Sequence, residues 1–176
     1  MGNKALTFWN GLPTWAKGVV AVGGLGAIAW TGYTIYKNAQ KKKDEAEAKK
    51  QSDTAQSEVE ILEQQGQTAT HSDSEFEAFS QDLVQAMNGC GTDEDMVYGV
   101  FKQMKNGLDI RKLVSIFGVR YYTPCSATSP ISYTKWLWDD KSFGGGISAW
   151  LGYDLTSAEI DKVNSILTAN GIDYSL

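Results

Sequence analysis

The sequence predicts an all-α protein with an N-terminal single transmembrane helix, a polar helical stalk and a small domain of four to five helices. Three observations lead there. Residues 18–36 carry no charged side chain. Residues 37–65 contain neither proline nor glycine and are rich in Lys, Glu, Gln and Ala. Beyond residue 74, apolar residues recur at helical spacing in four separate runs. The overall hydrophobic share of 42% over 176 residues averages these unlike parts together.

The apolar stretch comes first. Its 19 residues span roughly 28 Å as a helix, close to the ~30 Å hydrocarbon core of a bilayer. Lys17 and Lys37 bracket it. Trp15 marks one interface, and Trp30, Tyr33 and Tyr36 mark the other, the pattern of an aromatic belt. Ala27-Ile28-Ala29 has the small-x-small form of a leader cleavage site. The apolar run continues past it to Tyr36 and into lysines, which reads as an uncleaved anchor. Gly23, Ala27 and Thr31 form a small-residue ridge that would let two such helices touch.

Residues 1–17 hold Leu6, Phe8, Trp9, Leu12 and Trp15 among small polar residues and are expected to lie in the membrane interface. The start Met1-Gly2-Asn3-Lys4-Ala5 resembles a myristoylation signal, but Leu6 stands where Ser or Thr is needed. No acylation is expected.

Orientation follows from the lysines. Lys37, Lys41, Lys42, Lys43, Lys49 and Lys50 follow the apolar stretch, and Lys4 and Lys17 precede it. The positive-inside rule then places the C-terminal domain on the cytoplasm-derived side. Lys41, Lys42 and Lys43 would also meet anionic headgroups.

Residues 37–65 favour helix by composition. Ala48, Ser52, Ala55, Val59 and Leu62 fall on a four-three-four-three spacing, a heptad seam two heptads long. That is short for a coiled coil, so the stalk is expected to be a solvated spacer with weak self-association at most. Residues 66–74 read as a flexible linker, with His71 in it.

Residues 75–176 form the domain. A first helix over about 74–88 aligns Phe76, Phe79, Leu83 and Met87. A second is opened by Thr92 with Asp95 as its capping-box partner, and aligns Met96, Val97, Val100, Phe101 and Met104. A third starts at Asp109 and aligns Ile110, Leu113, Val114, Phe117 and Tyr121. A short helix covers 147–151. The last begins at Thr156 with Glu159 as box partner, buries Ile160, Val163 and Leu167, and ends at Asn170-Gly171. The insertion 122–146 carries Tyr133, Trp136, Trp138 and Phe143 beside Gly144-Gly145-Gly146. Aromatics beside glycines suit a contact surface for another protein, and equally suit a cover for a small core.

Charge and motif content exclude several functions. Residues 1–71 carry 8 lysines against 7 acids, and residues 72–176 carry 8 basic and 14 acidic side chains, a net −6. Such a domain repels nucleic acid, so no nucleic-acid partner is expected. One histidine and two cysteines, Cys90 and Cys125, supply no zinc set. The two cysteines leave one disulfide open. No phosphate loop, zinc-protease or nucleophile-elbow motif occurs. No catalytic residue, metal or cofactor is expected.

Gly89, Cys90, Gly91, Thr92, Asp93 and Glu94 resemble the first loop of an annexin repeat. The resemblance implies a helix-loop-helix whose loop carbonyls face calcium, with a carboxylate roughly forty residues further on. Pro130 and Ile131 occupy that region instead, and Asp139 and Asp140 come later. One repeat stands where the family uses four. Without calcium, Gly89 and Gly91 serve the turn, and Thr92 caps the next helix. The stretch 147–172 is similar to the C-terminal part of small annexin-like domains in bacteriophage and bacterial proteins. The expected function is therefore a membrane-anchored structural or interaction protein, foremost a minor virion membrane protein of a lipid-containing bacteriophage. It would join the bilayer to a capsid or other virion protein. The alternatives are a bacterial envelope adaptor that recruits a cytoplasmic partner, or a calcium-dependent lipid binder.

Overall fold

A computed structural model describes residues 14–89, 91–122 and 143–176, with the side chains of 14–35, 37 and 143 left out of the description. The described residues are mostly helical. Among the described residues there are six helices: α1 (Thr14–Gln64), α2 (Asp73–Met87), α3 (Glu94–Gln103), α4 (Gly107–Phe117), α5 (Ile147–Asp154) and α6 (Ser157–Ala169). Two three-residue strands, β1 (Arg120–Tyr122) and β2 (Phe143–Gly145), add a feature the all-α expectation lacked.

The chain divides into two units, Met1–Gln40 and Lys41–Leu176. In the first, the backbone is helical from Thr14 onward. Tyr36 is exposed, and its hydroxyl accepts from Gln40 Nε2 at 3.1 Å. Among the described residues no helix is long and apolar enough to cross a membrane. The side chains of the apolar stretch, up to residue 35, lie outside that set.

In the second unit, α2 packs against α3, α4 and α5, and α6 packs against α3 and α5. The expected stripes meet in one core, with Phe76, Leu83, Phe101, Leu113, Phe117, Trp150 and Val163 all buried. Trp150 is central. Its ring meets Phe117 and Tyr122 edge-on at 5.6 and 5.3 Å, and its Nε1 donates to the Arg120 carbonyl at 3.2 Å.

Helix starts follow side-chain chemistry, with corrections. Ser72 opens α2 through a complete capping box with Glu75, two residues before the expected start. Asp93, not Thr92, caps α3: its carboxylate accepts from Met96 N at 2.9 Å, while Asp95 sits in the first turn. Asn106, not Asp109, opens α4 by accepting from Leu108 N and Asp109 N. That places Asp109 inside the first turn with its carboxylate free to reach elsewhere. Thr156 and Glu159 form the expected box at α6.

The third stripe also changes at its end. Helix α4 stops at Phe117, where Gly118 takes a positive φ of 59°. The chain then extends, so alternation replaces helical spacing. Tyr121 is exposed and Tyr122 buried. Strand β1 pairs antiparallel with β2, Arg120 opposite Gly145 and Tyr122 opposite Phe143. The ribbon closes the base of the insertion 122–146.

The stalk departs from a solvated spacer. From Lys41 onward it belongs to the same compact unit as the domain, and Ala48, Ala55 and Val59 are buried. The heptad seam is occupied by the chain's own domain. The linker is also held rather than free. Thr70 bonds Asp109, and the Thr68 carbonyl accepts from Asn106 Nδ2 at 3.1 Å. A polar joint becomes ordered when buried acceptors require its donors.

Candidate functional site

The sequence points to three groups of residues: the anchor, a partner surface and the helix-loop-helix turn. In the anchor group, Trp15, Lys17, Gly23, Ala27, Trp30 and Tyr33 lie on the α1 backbone. Their side chains, and Trp9 altogether, are outside the described residues. Lys41 turns toward the domain, with its Nζ 5.6 Å from the Tyr121 ring centre. Lys43 pairs loosely with Glu47 at 3.9 Å, and Lys42 is exposed. All three lysines are exposed.

The partner-surface group falls almost wholly outside the description. Tyr133, Trp136 and Trp138 lie in 123–142, and Phe143 is placed only as backbone in β2. Cys90 and Cys125, and so their pairing, lie outside it too. The glycines that end the insertion have a clear role. A Cβ on Gly144 would come within 2.7 Å of Glu45 Cγ. One on Gly146 would come within 2.5 Å of Gln51 Oε1 and 3.4 Å of Ala48 Cα. The absence of side chains there lets α1 lie against this backbone.

The turn group is the most developed. Gly89 and Gly91 have φ of 124° and 83°, with open space around both, so the backbone conformation alone favours glycine. Asp93 N closes the turn on the Ala86 carbonyl at 2.9 Å. Thr92, freed from capping, turns toward Asp154 at the end of α5. Tyr122 donates to Asp154 Oδ1 at 2.7 Å, while Oδ2 is buried with no hydrogen-bond partner among the described residues. Burial pushes the Asp154 carboxyl above its usual range, against the pull of the Tyr122 and Thr92 hydroxyls. Burial, with Asp154 beside it, pushes the Tyr122 phenol up as well.

A carboxylate therefore does stand beside the Gly-x-Gly-Thr loop. It comes from a position sixty-two residues beyond Thr92, and sequence spacing pointed elsewhere. The short helix expected over 147–151 runs on to residue 154, and this extension, which ends on the aspartate, is what spacing did not reveal. Among the described residues no group of three or more His, Cys, Asp or Glu gathers to hold a metal.

His71 is packed rather than loose. Its ring meets Phe76 and Phe79 edge-on at 5.8 and 5.1 Å, and Nε2 lies 3.0 Å from the Gln103 carbonyl. Its Nδ1 lies 3.7 Å from Glu75 Oε1, so the ring is held on both nitrogens.

Comparison with protein-family models, curated proteins and solved structures finds no match.

Proposed function

We propose that this is a membrane-anchored structural or interaction protein, whose C-terminal domain docks onto another protein beside a lipid bilayer. The observation that carries the reading is the uncharged stretch 18–36 flanked by Lys17 and Lys37, whose backbone is helical in α1. A continuous helix satisfies its own backbone, which a bilayer core demands. The setting we favour is the membrane of a lipid-containing bacteriophage, with the domain toward the capsid. An envelope adaptor that recruits a cytoplasmic partner in a bacterial host is the alternative.

Mass spectrometry of density-purified particles, before and after detergent stripping, tests the setting. The whole chain should be present and should leave with the lipid. A chain found in host membranes and never in particles supports the adaptor. A chain that stays soluble after alkaline carbonate extraction of membranes removes the anchor itself.

Asp154 favours a second reading, a calcium-dependent lipid binder. Its Oδ2 has no hydrogen-bond partner among the described residues, and a carboxylate oxygen is the type that calcium takes. A melting temperature that rises in millimolar calcium, and no longer does after Asp154→Asn, would support it. An unchanged melting temperature would remove it.

A further inference from the structure

The contact between α1 and the rest of the second unit differs in kind from the core. The core is built mainly from large side chains, Phe, Leu, Ile, Met, Tyr and Trp, with Val and Ala among them. The α1 contact buries three small side chains, Ala48, Ala55 and Val59, of which only Ala55 joins the core cluster. The remainder is polar. Gln51 Nε2 donates to Ser148 Oγ at 2.6 Å, and Ser52 Oγ donates to the Ser115 carbonyl at 3.0 Å. Ser115 Oγ donates to Gln56 Oε1 at 2.8 Å. Arg111 pairs with Glu58, and Lys112 pairs with Glu63 at 3.2 Å. Tyr174 closes over the same strip, with Arg111 5.4 Å from its ring centre. Each of these polar groups can exchange its partner for water when the helix leaves. Small apolar burial and exchangeable polar bonds mark the low-stability end of a fold.

We infer that residues 44–64 of α1 are a releasable strap, docked on the Gly144–Gly146 backbone and detachable while α2–α6 stay folded. The undocked segment remains a good helix by composition. It would then stand as a rod of roughly 32 Å at 1.5 Å per residue. On the anchoring reading, release lengthens the tether between bilayer and domain. The docked and released states are the two positions of a retractable spacer. The hinge is 65–67, where Gly66 has a φ of 84° and open space, ahead of the Thr68–Thr70 attachment.

Thiol labelling of the full chain tests this, with Cys90 and Cys125 replaced by serine. Ala55→Cys reports the strap, and Ala86→Cys reports the core, since the two alanines are buried equally, at 3% and 4%. The Ala55→Cys thiol should label at least about tenfold faster under native conditions. Gly146 has an ordinary extended backbone, so Gly146→Val tests sterics alone. Together with the milder Glu58→Gln, it should speed labelling at 55 several-fold and leave 86 unchanged. Equal rates at the two sites, or acceleration of both together, would show one cooperative unit and overturn the strap. Neither result depends on membrane attachment, so failure here is separate from failure of the anchor.

Discussion

Thr70 and Asp109 are joined twice across thirty-nine residues: Thr70 N donates to Oδ1 at 2.8 Å, and its hydroxyl donates to Oδ2 at 2.6 Å. Lys105 N adds a third bond to Oδ2 at 2.9 Å. The carboxylate is fully buried. Asp109→Ala would leave two backbone donors without their acceptor in a site built for them. The expected loss is about 2–4 kcal/mol, because an unsatisfied buried donor costs roughly 1–3 kcal/mol. Urea denaturation of the domain measures it. A loss under about 1 kcal/mol would mean that water replaces the carboxylate and that the linker is not pinned.

Asp109 also shows where sequence reading stops. Its position near a helix start was legible, because Asp, Asn and Gly cluster there. Its partner was not, because nothing in a polar linker says which donors will be buried thirty-nine residues away. The mostly helical character was legible from spacing, and the Thr156–Glu159 box from its own four residues. Ser72 was readable in the same way from Glu75, three residues later. The ribbon was not, because Gly118 changes the period from helix to strand after a single residue, and Tyr122 replaces Tyr121 inside. In the candidate site, the Gly89–Thr92 turn was legible. Asp154 was not, since a long insertion separates it from that loop.

The two capping boxes set a sign for acid stability. Hydrogen bonds from the Ser72 backbone and hydroxyl hold the Glu75 carboxyl below its ordinary value, and Thr156 does the same for Glu159. A lowered native pKa contributes stability above the ordinary value of 4.5 and loses it as pH falls through the lowered value. Glu75→Gln with Glu159→Gln keeps an acceptor at each cap and removes the titration. The melting temperature of the double variant should fall less steeply than that of the wild type below about pH 4.5. Parallel curves would assign the acid limb to other carboxylates.

Asp154 has the opposite sign. Burial raises its carboxyl, so the native state holds the proton more tightly than the unfolded chain does. Its contribution is greatest at low pH and is lost as pH rises from the ordinary value of 3.8 through the raised one. Asp154→Asn should therefore be at least as stable as the wild type at neutral pH, with Tyr122 still donating to the amide oxygen. Tyr122 titrates at the other end. Its phenol is raised above 10.0, so its contribution persists to about pH 10 and fades above it. Tyr122→Phe should cost about 1–2 kcal/mol at neutral pH and flatten the alkaline limb. A variant as stable as the wild type would mean that the hydroxyl does not satisfy the carboxylate.

The register of β1 gives the sharpest contrast between neighbours. Tyr121 and Tyr122 are adjacent, yet one is 63% exposed and the other 4%. Tyr122 rests on Trp150, and Trp150 in turn rests on Phe117. Trp150→Ala would remove the ring shared by both edge contacts and the donor to the Arg120 carbonyl. Large-to-small changes of this kind cost about 3–5 kcal/mol, a large share of the roughly 5–15 kcal/mol that holds a domain together. Tyr122→Ala should approach the lower end of that range. Tyr121→Ala removes only exposed ring surface and the Lys41 contact, and should stay under about 1 kcal/mol. Equilibrium unfolding of the three variants orders them. A ribbon shifted by one residue would reverse the two tyrosines, because one step moves every side chain to the other face.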